Sequence, residues 1–132
     1  MDESGPIVYV DDDLVDVGNL ERALVRLGIR NRLKAFPSAE AALAWLRGEG
    51  SAPASEPPRL LLLDLGLPAM GGLELLRTLK SDPGLRAIPA VILTSSDREA
   101  DRRRARELGA VGYFEKPIDV DRFVEVAGLI PV

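Results

Sequence analysis

The sequence predicts a doubly wound α/β domain: five parallel strands in one sheet, with five helices distributed over both faces. Two observations carry this reading. Apolar runs at 7–10, 60–63, 90–93 and 111–114 are short, nearly continuous and rich in Val, Leu and Ile, with a weaker fifth run around Arg32 to Phe36. Strands buried on both faces read in this way, whereas half-exposed strands alternate apolar with polar. Between the runs lie apolar residues at helical spacing, and a parallel pair of strands needs a covering crossover of that kind.

Taken in order, the first run "IVYV" is followed by a helical pattern on Val17, Leu20, Leu24 and Leu27, which Gly28 is placed to end. After the weak second run, Ala42, Leu43 and Leu46 mark a second helix. The stretch "GEGSAPASEPP", 48–58, is too short to divide domains and reads as a surface loop. The third run "LLLL" leads to a helix on Leu75, Leu76 and Leu79. After the fourth run, Ser96 and Glu99 in "SDRE" have the spacing of a capping box opening helix four, which Gly109 would close. That helix carries a single large apolar residue, Leu108, and its arginines read as a solvated face. In helix five, Val120, Phe123, Val124 and Ala127 form an i, i+3, i+4, i+7 stripe for the core, which leaves Val126, Leu129, Ile130 and Val132 without partners.

Composition narrows the chemistry. At 132 residues the chain is expected to be one domain, with neither an internal repeat nor an output domain. It contains no cysteine and no histidine, which excludes disulfides, thiolate or imidazole metal sites and Ser-His-Asp hydrolysis. A net charge of −4 gives no general signal for nucleic acid. No apolar run is long enough to span a bilayer, so the expectation is a cytoplasmic protein with neither nucleic acid nor membrane as partner.

The chemistry that remains gathers where strands end. In a doubly wound sheet, functional residues collect at the carboxyl ends of the strands, near the point where strand order reverses. Here those ends supply Asp11 and Asp12 from strand one, Asp64 from strand three, Thr94 and Ser95 from strand four, and Lys116 from strand five. Like charges about 4 Å apart repel by roughly 1 kcal/mol in water and about 4 kcal/mol at an effective dielectric of 20. Three successive aspartates after a buried strand therefore call for compensation. A cap for helix one accounts for one of them, and Asp13 can fill that role. A hard cation such as Mg²⁺ accounts for the others. Carboxylates from two strands would hold it, while the Thr94 hydroxyl and Lys116 ammonium stabilise phosphoryl oxygens, leaving one carboxylate as nucleophile.

"VYVDDD", "LLLLDLGLPAMGG", "ILTSSD" and "GYFEKP" together resemble, in order and spacing over nearly the whole chain, the receiver domains of two-component response regulators. The resemblance implies the flavodoxin-like strand order 2-1-3-4-5 and phosphorylation of Asp64 by a partner sensor histidine kinase. It implies Asp12 as direct Mg²⁺ ligand, with Mn²⁺ able to substitute, and Asp11 as the more distant acidic partner. Asp64 and the backbone carbonyl of Gly66 complete the metal set. Thr94 and Lys116 become phosphate binders, Thr94 and Tyr113 the switch residues, and the Lys116–Pro117 peptide is expected to be cis. Two departures stand out. Gly66 lacks the larger side chain, often Asn, common at that position, and Ser96 occupies another position where the family varies phosphoryl lifetime. The "VDDDLVD" opening looks most like stand-alone regulators paired with phytochrome-type kinases.

Three other functions compete. A haloacid-dehalogenase-type phosphatase also uses a strand-end Asp with Mg²⁺, but its acid/base Asp two residues later is Gly66 here. A flavin or nucleotide binder wants a Gly/Ser/Thr-rich cradle after strand one, where this chain has aspartates. A pseudo-receiver scaffold would have lost Asp64, Thr94 or Lys116, and all are present. A receiver of this kind would catalyse only its own phosphorylation and dephosphorylation. The unpartnered tail, and Arg98, Arg102 and Arg106 on helix four opposite Asp119, Asp121 and Glu125 on helix five, further predict a homodimer through helix four, strand five and helix five.

Overall fold

In the computed structural model, which describes residues 5–49 and 56–130, five strands form one sheet in the order β2-β1-β3-β4-β5 with every pairing parallel. The strands are β1 Ile7–Val10, β2 Leu33–Phe36, β3 Leu60–Leu63, β4 Ala90–Thr94 and β5 Gly112–Glu115. The helices are α1 Leu14–Arg26, α2 Ala39–Leu46, α3 Gly72–Ser81, α4 Glu99–Glu107 and α5 Val120–Gly128. Of the expected loop 48–58, residues 50–55 lie outside the described residues, as does Val132.

Every residue of β1, β3 and β4 is buried, and alternate side chains feed two cores. Val8, Val10, Leu61, Leu63 and Ile92 face α2, α3 and α4, meeting Ala42, Leu43, Leu75, Leu76, Leu79 and Ala105. Ile7, Tyr9, Leu60, Leu62, Val91 and Leu93 face α1 and α5, meeting Leu20, Leu24, Phe123 and Val126. Burying a Leu, Ile or Val fully is worth about 1.5–3 kcal/mol, so the continuous apolar runs are the main source of the fold's stability. Helices α1 and α4 end on Gly28 and Gly109, at φ +67° and +101°, in the left-handed region where a side chain would be strained.

Register then sets the site. Val10 pairs with Leu63, so Asp11 and Asp64 leave neighbouring strands at the same height, and the Asp64 amide donates to the Val10 carbonyl at 3.0 Å. Thr94 pairs with Glu115, and the Lys116 amide donates to the Thr94 carbonyl at 2.8 Å. Between β1 and β3 the chain order reverses, the usual place for a binding crevice.

Three details differ from the sequence reading. β5 begins at Gly112 rather than Val111, because Gly112 is the residue that registers with Val91 while Val111 is exposed. No capping box opens α4. Its N-cap is Arg98 with no side-chain cap bond, and the Ser96 hydroxyl instead donates to the Asp101 carboxylate at 2.9 Å. In α5 Val120, Phe123 and Ala127 pack on the core as expected, but Val124 is exposed, and Val126 and, just beyond the helix, Ile130 are buried in its place.

Val126 and Ile130, expected to lack partners, therefore complete the chain's own core. Ile130 is 4% exposed, and Leu129 lies over Gly112, where an added Cβ would come within 2.7 Å of its Cδ1. The charge argument for a dimer loses members too. The Arg102 guanidinium stacks on the Tyr113 ring at 4.6 Å, and Glu125 pairs with Arg122 of its own helix at 3.6 Å.

Candidate functional site

An open cleft at the carboxyl ends of the strands is lined by Asp11, Asp12, Asp13, Asp16, Asp64, Gly66, Thr94, Ser95, Lys116 and Pro117. Asp13 is spoken for. It is the N-cap of α1, accepting from the Val15 amide at 2.9 Å. Carboxylate oxygens of Asp11, Asp12 and Asp64 lie within 4.8 Å of one another. An octahedral ion with oxygens at about 2.0–2.1 Å spans about 4.2 Å between opposite ligands, so small side-chain movements suffice for these residues to fit Mg²⁺ or Mn²⁺. The donor set is wholly oxygen, which suits a hard cation.

Asp11 is the most constrained member. Its side chain is fully buried, its Oδ2 accepts from the Tyr9 hydroxyl at 2.6 Å and from Lys116 Nζ at 2.7 Å, and its Oδ1 accepts from the Asp13 amide at 2.9 Å. Three of its four lone-pair sites are thus occupied, which favours Asp12, exposed and nearby, as the direct ligand. Burial, then the hydrogen bond to Asp11, pushes the Tyr9 hydroxyl far above its ordinary pKa, so it acts only as a donor here.

Lys116 Nζ also reaches Asp16 at 2.8 Å and Asp64 at 3.4 Å. Burial alone would lower its pKa, but the surrounding carboxylates reverse this and hold it above the usual lysine range. Burial raises the Asp64 carboxyl pKa; Lys116 opposes that shift and Asp11 adds to it. The Lys116–Pro117 peptide is cis.

Thr94 is buried, its Oγ1 accepting from the Ser96 amide at 3.2 Å, and the Ser96 carbonyl accepts from the Tyr113 hydroxyl at 3.0 Å. Two hydrogen bonds thereby join the cleft to β5. Gly66 opens the cleft: a Cβ there would sit 3.6 Å from Asp64 Oδ2, room that a larger residue would fill.

The structure brings together every site residue expected from the sequence except Tyr113, which lies one loop away and reaches the cleft through Ser96. Sequence reasoning missed Tyr9 and Asp16. A hydroxyl inside an otherwise apolar strand, two residues before Asp11 and so on its face, was the signal for Tyr9. For Asp16 it was an acid in the first turn of a helix that starts at the site.

A family model described as the response regulator receiver domain matches residues 7–127. The chain belongs to this family. The response regulator Rcp1 of Synechocystis sp. is 36% identical over 132 residues, spanning 97% of this chain and 90% of that protein. A solved structure of Rcp1 in its Mn²⁺-bound form has a TM-score of 0.80, at 31% identity, covering 97% of this chain and 99% of that one. The bacteriophytochrome response regulator RtBRR superposes with a TM-score of 0.87 at 36% identity, over 98% of this chain and 79% of that one. The phosphorylated cyanobacterial phytochrome response regulator RcpA gives 0.83 at 32% identity, over 96% and 91%. This receiver is a two-component signalling protein with a CheY-like fold, similar to the phytochrome-linked type. No helix among its described residues is long and apolar enough to cross a membrane.

One expected result follows from the Asp11 cage. Tyr9→Phe removes a hydrogen bond to a buried charge, and bonds of that class are worth about 1.5–3 kcal/mol. Urea unfolding should show a loss of that order. An unchanged midpoint would mean that Asp11 is held without Tyr9.

Proposed function

We propose that the receiver accepts a phosphoryl group on Asp64 from a phosphohistidine of a partner kinase and relays the change to the face formed by α4, β5 and α5. The observation that carries this is the convergence of Asp64, Asp12, Thr94 and Lys116 on one cleft. A carboxylate oxygen of Asp64 attacks phosphorus, the P–N bond of the phosphohistidine breaks, and the electron pair returns to the imidazole. Hydrolysis of the acyl phosphate by water releases inorganic phosphate and restores the carboxylate, so the chain turns over no other substrate. A bound Mg²⁺ or Mn²⁺, held by Asp12, Asp64 and the Gly66 carbonyl with Asp11 behind, would neutralise charge on the phosphoryl oxygens. Lys116 supplies a second positive charge, and the Thr94 hydroxyl donates a hydrogen bond.

When Thr94 turns to a phosphoryl oxygen, its bond from the Ser96 amide is perturbed, and the Ser96 carbonyl carries that change to Tyr113. Arg102, stacked on the Tyr113 ring and donating to the Tyr113 carbonyl at 3.4 Å, links α4 to the same movement. This supports Thr94 and Tyr113 as the switch pair. The likeness to Rcp1, RcpA and RtBRR favours a phytochrome-type histidine kinase in the cytoplasm as partner, and one receiver domain suffices for every step. Incubation with such a kinase carrying labelled phosphohistidine tests the reading: label moves to the wild-type chain and stays on the kinase with Asp64→Asn.

Self-association through the switch face retains the exposed Val111, Val124 and Leu129 as support. Sedimentation equilibrium at high micromolar concentration, with and without beryllofluoride, decides it. A dimer in either state upholds this contact, and a monomer in both removes it.

A further inference from the structure

Asp16 lies in the first turn of α1, where an acid ordinarily favours the helix dipole and accepts the N-cap amide. That amide, from Asp13, is already bonded to Asp11 Oδ1, so the Asp16 carboxylate is free to turn to the cleft. It does so: Oδ2 takes Lys116 Nζ at 2.8 Å, and both side chains are well covered, at 16% and 13% exposure. An ammonium has three donors. Two are engaged at short distance by Asp11 and Asp16, while Asp64 stands off at 3.4 Å.

We propose that Asp16 is a positioning residue that competes with the phosphoryl group for Lys116, holding the ammonium on the α1 side until phosphorylation draws it away. Resting on Asp64 as phosphoacceptor, this assigns Asp16 control over how strongly the phosphorylated state is stabilised. Asp16 lies outside the set of carboxylates close enough to share a cation, so its effect runs through Lys116. Once Asp64 carries a phosphoryl group, Lys116 has a better partner, with more charge and more acceptor oxygens than a lone carboxylate. Each bond it keeps to Asp16 then opposes the active state.

The test is the affinity for beryllofluoride, a phosphoryl mimic, measured by titration calorimetry at saturating Mg²⁺ on the whole chain. Four proteins are compared: wild type, Asp16→Asn, Lys116→Met and the double variant. Asp16→Asn should bind the mimic about tenfold more tightly than wild type, the loss of one competing charge-assisted hydrogen bond. In the Lys116→Met background the same change should shift affinity by less than about twofold, because the competition has no object. Asp16→Ala, which leaves no acceptor, should tighten binding at least as much as Asp16→Asn. Equal or weaker binding by Asp16→Asn and Asp16→Ala overturns the proposal, as does equal tightening without Lys116, which would reduce Asp16 to a general negative charge. A wild-type chain that binds no beryllofluoride with Mg²⁺ would instead overturn the phosphoacceptor reading itself.

Discussion

Gly72→Ala should destabilise the receiver by about 3 kcal/mol, at the upper end of what overpacking costs. A Cβ at this first residue of α3 would fall onto the Asp64 carbonyl oxygen and come within 2.8 Å of Leu65 Cα. Both obstacles are backbone, so no rotamer change relieves them. Either α3 retreats from the core that Leu75, Leu76 and Leu79 fill, or the Asp64–Leu65 segment moves and takes the proposed phosphoacceptor with it. Phosphorylation should therefore fall along with stability. Gly71→Ala is the control. Its nearest neighbour would be the Leu65 carbonyl at 3.8 Å, an ordinary contact, and its effect should stay within about 1 kcal/mol. Equal urea midpoints for the two variants would show that the approach of α3 to Asp64 is not the constraint argued here.

Asp12→Ala should separate function from stability, moving them in opposite directions. Phosphoryl loading should disappear, as it should for the wild-type chain in excess chelator, because Asp12 is the exposed carboxylate of the three and the one proposed to hold the cation directly. Without metal the variant should gain about 1 kcal/mol or less, since removing one of several like charges relieves repulsion of that size in a solvated cluster. Mg²⁺ should raise the wild-type melting temperature, by linkage to the folded state, and leave the variant where it was. Undiminished loading of Asp12→Ala, or an equal rise with Mg²⁺, would remove Asp12 from the metal site.

The strands were legible because burial on both faces leaves little room for polar residues: "IVYV", "LLLL" and "AVIL" announce themselves. Residues immediately after such runs inherit their height from strand register, so Asp11, Asp64 and Lys116 could be brought together on paper. Phase along α5 was legible only in part: Val120, Phe123 and Ala127 pack on the core, but Val126 takes the buried place expected of Val124. Val120, Phe123, Val124, Val126, Ala127, Leu129 and Ile130 satisfy more than one helical stripe, and the choice is made by neighbours such as Gly112, whose missing side chain makes room for Leu129. Ser96 misled for a related reason. A capping box is a statement about backbone geometry, and the hydroxyl found a carboxylate, Asp101, that spacing alone does not single out. Asp16 escaped notice because acids are common in the first turn of a helix, and its bond to Lys116 crosses 100 residues of sequence.

The most direct test of the central claim is the intact mass of the chain after incubation with acetyl phosphate and Mg²⁺, run beside Asp64→Asn. Wild type should gain the mass of one phosphoryl group and lose it again in chelator-free buffer as the acyl phosphate hydrolyses, while Asp64→Asn stays unmodified. A phosphoryl mass that persists in Asp64→Asn, or a wild-type chain that never acquires one, would contradict the account.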